Sequence, residues 1–153
     1  MKGLPIVITR RDGKSRTLSY MSDGKLGIVK LIGDSAYEIN YDGNNHISSL
    51  KDEAGNTVSY TYDNYGNLSE VTNELGYATN YEYNCWDELI SVIYVNGNKI
   101  SYEYDAAGCV TAMTYPDGTR LDISYDKNGR LLKVSTDVTD GQTWTVGISC
   151  CPK

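Results

Sequence analysis

Apolar residues recur on a two-residue beat within short runs, and the runs themselves recur on a longer beat. In Val58-Ser59-Tyr60-Thr61-Tyr62, large apolar side chains alternate with small polar ones, which marks a strand with one apolar face. Asp63 then opens a turn that Gly66 closes, and Leu68 begins the next apolar run. Asp at the first position and Gly at the fourth suit a type I turn, because Asp accepts hydrogen bonds from its own backbone and Gly takes positive φ freely. No 3.6-residue apolar period appears along the chain, so the pattern predicts strands and turns without helix.

The longer beat is 21 residues. Tyr20, Tyr41, Tyr62, Tyr83, Tyr104 and Tyr125 stand in one column. Two residues before them stand Leu18, Ile39, Tyr60, Tyr81, Tyr102 and Ile123. Six residues after them come Leu26, Ile47, Leu68, Leu89, Val110 and Leu131. Nine after come Val29, Leu50, Val71, Val92, Met113 and Val134. A second glycine column runs through Gly13, Gly55, Gly76, Gly97 and Gly118, with Asp34 in one slot. A fixed period of this size is the sign of a repeat array. The predicted fold is all-β: an antiparallel β-hairpin array of about seven repeats and 14 strands, in a twisted and curled meander sheet. Residues 1–153 read as a single array, and as a segment of a longer one, because both ends cut a hairpin at the same phase.

An odd period constrains the sheet. Side chains alternate faces along a strand, so equivalent residues keep to one face only if each repeat holds one bulge or one odd-length loop. The Asp63 turn is expected to be type I with a one-residue bulge at Gly66, so that Tyr62 faces Leu68. The Gly76-type turn is expected to be a two-residue hairpin, as Asn96-Gly97 suggests. Tyr115-Pro116-Asp117-Gly118 points the other way, toward the bulged form. On this register one face carries the Tyr and Leu columns, and the other carries Thr57, Ser59, Thr61 and Val71.

The period resembles the YD repeat of the Rhs family, roughly G-x5-Y-x-Y-D-x2-G-x-L. The fullest copies run from Gly55 to Leu68 (Tyr60, Tyr62, Asp63, Gly66), from Gly97 to Val110 (Tyr102, Tyr104, Asp105, Gly108) and from Gly118 to Leu131 (Tyr125, Asp126, Gly129). Asn84 replaces the Asp once, and Asn45 and Asp87 replace the turn glycine; both residue types tolerate the left-handed region. Gly66, Gly108 and Gly129 are therefore expected at positive φ. The resemblance implies a non-catalytic wall segment of a shell or stalk that encloses or presents a toxin or surface domain, secreted or at the cell surface. It also implies neighbouring repeats as partners, and an encapsulated toxin domain as a possible one. The D-P-x-G-type sequence that carries self-cleavage in the family has no match, so no catalytic residue is carried over.

Composition changes this picture in few places. There are 14 Tyr and no Phe, so the apolar mass carries hydroxyls suited to half-wet surfaces. Net charge is −6, without the basic stripe that nucleic-acid binding requires. No apolar run is long enough to span a membrane. The four cysteines, Cys85, Cys109, Cys150 and Cys151, lack metal-site spacing. Cys85 and Cys109 sit on successive hairpins, ~10 Å apart by strand spacing, so the cysteines are read as unpaired.

Candidate chemistry is sparse, and no cofactor is expected. The column of Asp42, Asp63, Asn84, Asp105 and Asp126 is read as turn capping; its members are ~10 Å apart, too far to share a calcium ion. The tyrosine column is read as sheet core. His46, the only histidine, is read as a solvated turn residue. Tyr65, Tyr77 and Trp86 lie in turns and are the candidate ligand contacts, with a carbohydrate-binding or adhesion module as the alternative function. Unpaired edge strands near Ile6 and Val146 predict self-association.

Overall fold

A computed structural model describes residues 6–9, 11–12, 15–30 and 36–136. The described residues form β1 (Ile6–Thr9), β2 (Ser15–Tyr20), β3 (Leu26–Lys30), β4 (Ala36–Tyr41), β5 (Ile47–Asp52), β6 (Thr57–Tyr62), β7 (Leu68–Thr72), β8 (Ala78–Tyr83), β9 (Leu89–Ile93), β10 (Lys99–Tyr104), β11 (Val110–Thr114), β12 (Arg120–Tyr125) and β13 (Leu131–Thr136). These 13 strands follow one another in chain order in an antiparallel meander, with no helix among the described residues. The expected fourteenth strand, at Trp144, Val146 and Ile148, lies outside the described residues, as do Gly13, Asp34 and the phase residues at both ends. The chain divides into two compact units, residues 1–78 and 79–153.

Every described hairpin closes with the same turn. In the Asp63 turn, the Gly66 N–H donates to the Asp63 carbonyl and the Asp63 N–H donates to the Asn67 carbonyl. In the Gly97 turn, the Gly97 N–H donates to Tyr94 and the Tyr94 N–H to Asn98. Both are type I turns followed by a one-residue bulge at a left-handed position. The two-residue hairpin expected for the second row is thus corrected, and the Tyr115-Pro116-Asp117-Gly118 signal was the better guide. Gly66, Gly108 and Gly129 have φ of 91°, 79° and 73°, and Asn45 and Asp87 take the same slot at 71° and 61°.

The odd period is absorbed elsewhere. Tyr62 pairs with Leu68, but Thr61 pairs with Glu70, so Ser69 is extra. The same shift makes Gly27, Ser48, Ile90, Thr111 and Leu132 the extra residues of their strands. This bulge restores the parity that the odd period would break. It also moves Val71 onto the tyrosine face, opposite Tyr60, which corrects its assignment to the other face. In the second unit, Tyr102 pairs with Met113, and Met113 pairs with Leu121, 19 residues beyond Tyr102. In the first unit, Ile39, Leu50 and Val58 are linked in the same way. Equivalent side chains therefore keep to one face within each unit, and each repeat steps two residues along the strand direction.

The core is thin, as a single-layered sheet requires. Ile39 and Val92 are buried on the tyrosine face. On the other face Ser91 and Ala112 are each only 1% exposed, although both are small. The reason is what crosses above them. Lys99 on β10 reaches over β9 to Glu82 on β8, at 3.0 Å. Arg120 on β12 reaches over β11 to both carboxylate oxygens of Glu103 on β10. A small residue in the middle strand leaves room for an ion pair between its neighbours, and the pair covers it.

Candidate functional site

The rows of Asp turns are where the chemistry gathers. Asp63 Oδ1 accepts the N–H groups of Tyr65 and Asn67 at 2.8 and 2.9 Å. Asp42, Asn84, Asp105 and Asp126 accept from the corresponding pairs in their own turns. One oxygen thereby satisfies two turn donors, which is why Asn serves at position 84. The Arg130 and Asn128 N–H groups hold the Asp126 carboxyl below its ordinary value. Burial would raise Asp63, but the bonds from Asn67 and Tyr65 outweigh it and lower the group.

The column tyrosines do more than fill the core. The ladder between β5 and β6 ends at Ser49 and Ser59, leaving the Ile47 carbonyl beyond it. The Tyr62 hydroxyl donates to that carbonyl at 2.9 Å. Tyr41, Tyr104 and Tyr125 donate in the same way to Leu26, Leu89 and Val110, each 15 residues earlier, at 3.0, 2.8 and 3.0 Å. Phe in the column would leave these part-buried carbonyls unpaired, at a cost of about 1–3 kcal/mol each. The acceptor is the Leu-column residue beside each bulge, where the strands part. Burial pushes the phenols of Tyr62, Tyr104 and Tyr125 up, assisted respectively by Asp42, Glu88 and Asp105.

Tyr65, Tyr77 and Trp86 lie on turns and are 88%, 54% and 71% exposed. Trp86 stands at the rim of a cleft of about 810 Å³ between the β8–β9 and β10–β11 turns, lined also by Glu88, Ile90, Tyr102, Tyr104 and Asp105. Tyr65 and Tyr77 belong to other turns.

Two sequence readings need correction here. His46 is not freely solvated. Its ring packs on Tyr62 with centroids 4.5 Å apart and lies beside Gly66. Its Nδ1 is buried, 3.3 Å from Asp42 Oδ2, yet off line for a hydrogen bond. The 21-residue offset from His46 to Asn67 was the available signal, since Asn67 Nδ2 donates to Asp63 Oδ2 at 3.3 Å: this position reaches back to the turn's first residue. The cysteines are not all unpaired either. Cys85 is free and exposed, whereas Cys109 is buried and disulfide-bonded. The spacing argument concerned Cys85 with Cys109 and did not bear on other pairings. Sequence reading also missed Glu82, Lys99, Glu103 and Arg120; opposite charges 17 residues apart were the signal.

Such a period, with tyrosine ties at Tyr41, Tyr62, Tyr104 and Tyr125 and turns capped by Asp or Asn from Asp42 to Asp126, is specific enough to compare with known proteins. A family model described as teneurin YD-shell matches residues 33–149. The chain belongs to the teneurin YD-shell family. No curated protein sequence matches it. Among solved structures, a crystal structure of TcdB2-TccC3-Cdc42 is similar with a TM-score of 0.71 at 15% identity, covering 91% of this chain and 9% of that one. A crystal structure of TcdB2-TccC3 gives 0.66 at 16% identity, covering 78% and 7%. The Tc holotoxin pore of Photorhabdus luminescens gives 0.56 at 14% identity, covering 85% and 9%. At these identities the likeness is one of fold. The chain spans less than a tenth of the length of each of those chains. It is a structural shell-repeat segment.

Proposed function

We propose that residues 1–153 are one continuous array within a longer YD-repeat shell, and that the shell encloses or presents a toxin or surface domain. The segment contributes wall, not catalysis. The observation that carries this reading is the tyrosine tie. Each hydroxyl fastens one hairpin to the hairpin before it, so the unit that recurs is a joint between neighbours. A repeat of that kind has no natural size and is suited to building surface. The disulfide at Cys109 supports a secreted or cell-surface setting, where such bonds persist. Other chains of a toxin or surface complex are its expected partners.

Protease protection in the natural polypeptide tests the proposal. A domain within the shell stays intact under protease until the YD array is denatured, and array and domain are then cut together. Cleavage of every flanking domain while the array remains folded overturns it.

A further inference from the structure

Successive Asp turns form a junction at which a side chain from one hairpin lies against the column tyrosine of the next. In the first unit the junction holds His46, between the Asp42 carboxylate and the Tyr62 ring, beside Gly66. A planar basic group therefore fits there, with an acid at one edge and an aromatic face beneath. In the second unit the equivalent positions are Glu88, Tyr104 and Gly108, and this junction is the cleft that Trp86 helps to line. The chain places a carboxylate where the other junction has its imidazole.

The charges of the cleft are unbalanced. Glu103 is neutralised by Arg120. Glu88 takes one hydrogen bond, from Asn84 Nδ2 to Oε2 at 2.9 Å. Asp105 uses Oδ1 for the N–H groups of Ala107 and Cys109. Among the described residues, neither Glu88 nor Asp105 has a cation within ion-pair distance. Glu88 Oε1 and Asp105 Oδ2 are left as acceptors. Tyr104 has spent its hydroxyl on Leu89 and offers its ring, and Trp86 is 71% exposed.

We propose that this cleft binds the guanidinium of an arginine side chain from a partner polypeptide. The group replaces the imidazole that the first unit supplies for itself. Its plane stacks between the Trp86 and Tyr104 rings, and its edge donates to Glu88 and Asp105. Tryptophan is the best aromatic partner for such a cation, and a planar fork of donors suits two carboxylates better than a compact ammonium does.

The proposal concerns the chain itself and stands apart from what the shell encloses. Its test is a titration of residues 1–153 with acetyl-arginine amide, followed by the indole N–H resonance of Trp86, which Trp86→Phe assigns. The expected result is a saturable shift that the uncharged isostere acetyl-citrulline amide does not produce. Glu88→Gln, which keeps the acceptor for Asn84, weakens binding about five-fold or more at unchanged melting temperature. An absent shift overturns the proposal, as does equal binding of the citrulline probe or an undiminished affinity in Glu88→Gln. A shift produced by a neutral chitin oligosaccharide and not by arginine also overturns it, and assigns the cleft to sugars.

Discussion

The strands end in two rows of turns with one backbone design and different duties. In the row of Asp turns, the first residue at Asp42, Asp63, Asn84, Asp105 and Asp126 binds two turn N–H groups with its side chain, while the Met21 turn of the same row uses Asp23, which accepts the Lys25 N–H. In the opposite row the first residues are Asp52, Asn73, Tyr94 and Tyr115. Only Asp52 and Asn73 can cap in that way, and the turns at Tyr94 and Tyr115 use Asn96 and Asp117 instead. Among the described pairings, the bulge and the tyrosine tie occur beside the first row, whereas β3–β4, β5–β6, β9–β10 and β11–β12 run without a shift. One row therefore fixes parity and joins neighbours, while the other only reverses the chain. Sequence freedom follows that division.

The largest expected effect tests what the rows share. Gly66→Val and Gly97→Val should each cost about 2 kcal/mol, because both glycines hold a left-handed backbone. The Asn variants should be much milder, as Asn45 shows. Urea denaturation measures all four; a neutral Gly97→Val would mean that the second row does not use this turn.

The next effect isolates the tie within the row of Asp turns. Tyr104→Phe should cost about 1–2 kcal/mol, through the Leu89 carbonyl it leaves unpaired. Tyr65→Phe, on an exposed turn, should change stability by less than about 0.5 kcal/mol. Equal costs would remove the tie from the account of why the column is tyrosine.

Smaller effects come from titration. Desolvation raises the Tyr62, Tyr104 and Tyr125 phenols above 10.0, so the fold favours their neutral form. That contribution is complete below the unfolded value and is lost as pH rises through the folded one. Ultraviolet difference absorbance should show the Tyr62, Tyr104 and Tyr125 phenols ionising at higher pH in the folded chain than in the urea-unfolded one. At the other extreme, hydrogen bonds lower the Asp126 carboxyl from 3.8. Its contribution is present above that value and is lost as pH falls through the folded one. An Asp126→Asn variant should therefore show a flatter acid limb in a plot of melting temperature against pH.

The period, the tyrosine and glycine columns and the left-handed slots were legible in the sequence because each demands a residue type. Gly66 must accept positive φ, and Asp63 must accept two N–H groups. The odd period called for one bulge or odd-length loop per repeat, but the place of the strand bulge was not legible. Its extra residues are Gly27, Ser48, Ser69, Ile90, Thr111 and Leu132, which share no chemistry, because an unpaired residue at an ordinary backbone angle needs none. Placing it at Gly66 led to the wrong face for Val71 and the wrong turn for the second row. The exposed position of Trp86 followed from its turn, but the cleft beside it depends on Glu88 replacing the side chain that fills the other junction. Only the register reveals that equivalence.

The two-residue step per repeat has a mechanical meaning. Equivalent residues of adjacent repeats are offset by ~6.6 Å along the strands for every ~9.6 Å across them. A line through them therefore crosses the strands at about 35° from the perpendicular, within the range of strand tilts in closed barrels. Tension along a line of repeats does not simply peel one hairpin from the next. The component along the strand axes, about 0.6 of the force, loads the interstrand hydrogen bonds together, while the larger component across them pulls hairpins apart. Stretching a line of repeats within a unit therefore shears some interstrand bonds together as well as unzipping others, and the lean of the strands adds that resistance to a sheet that would otherwise only unzip.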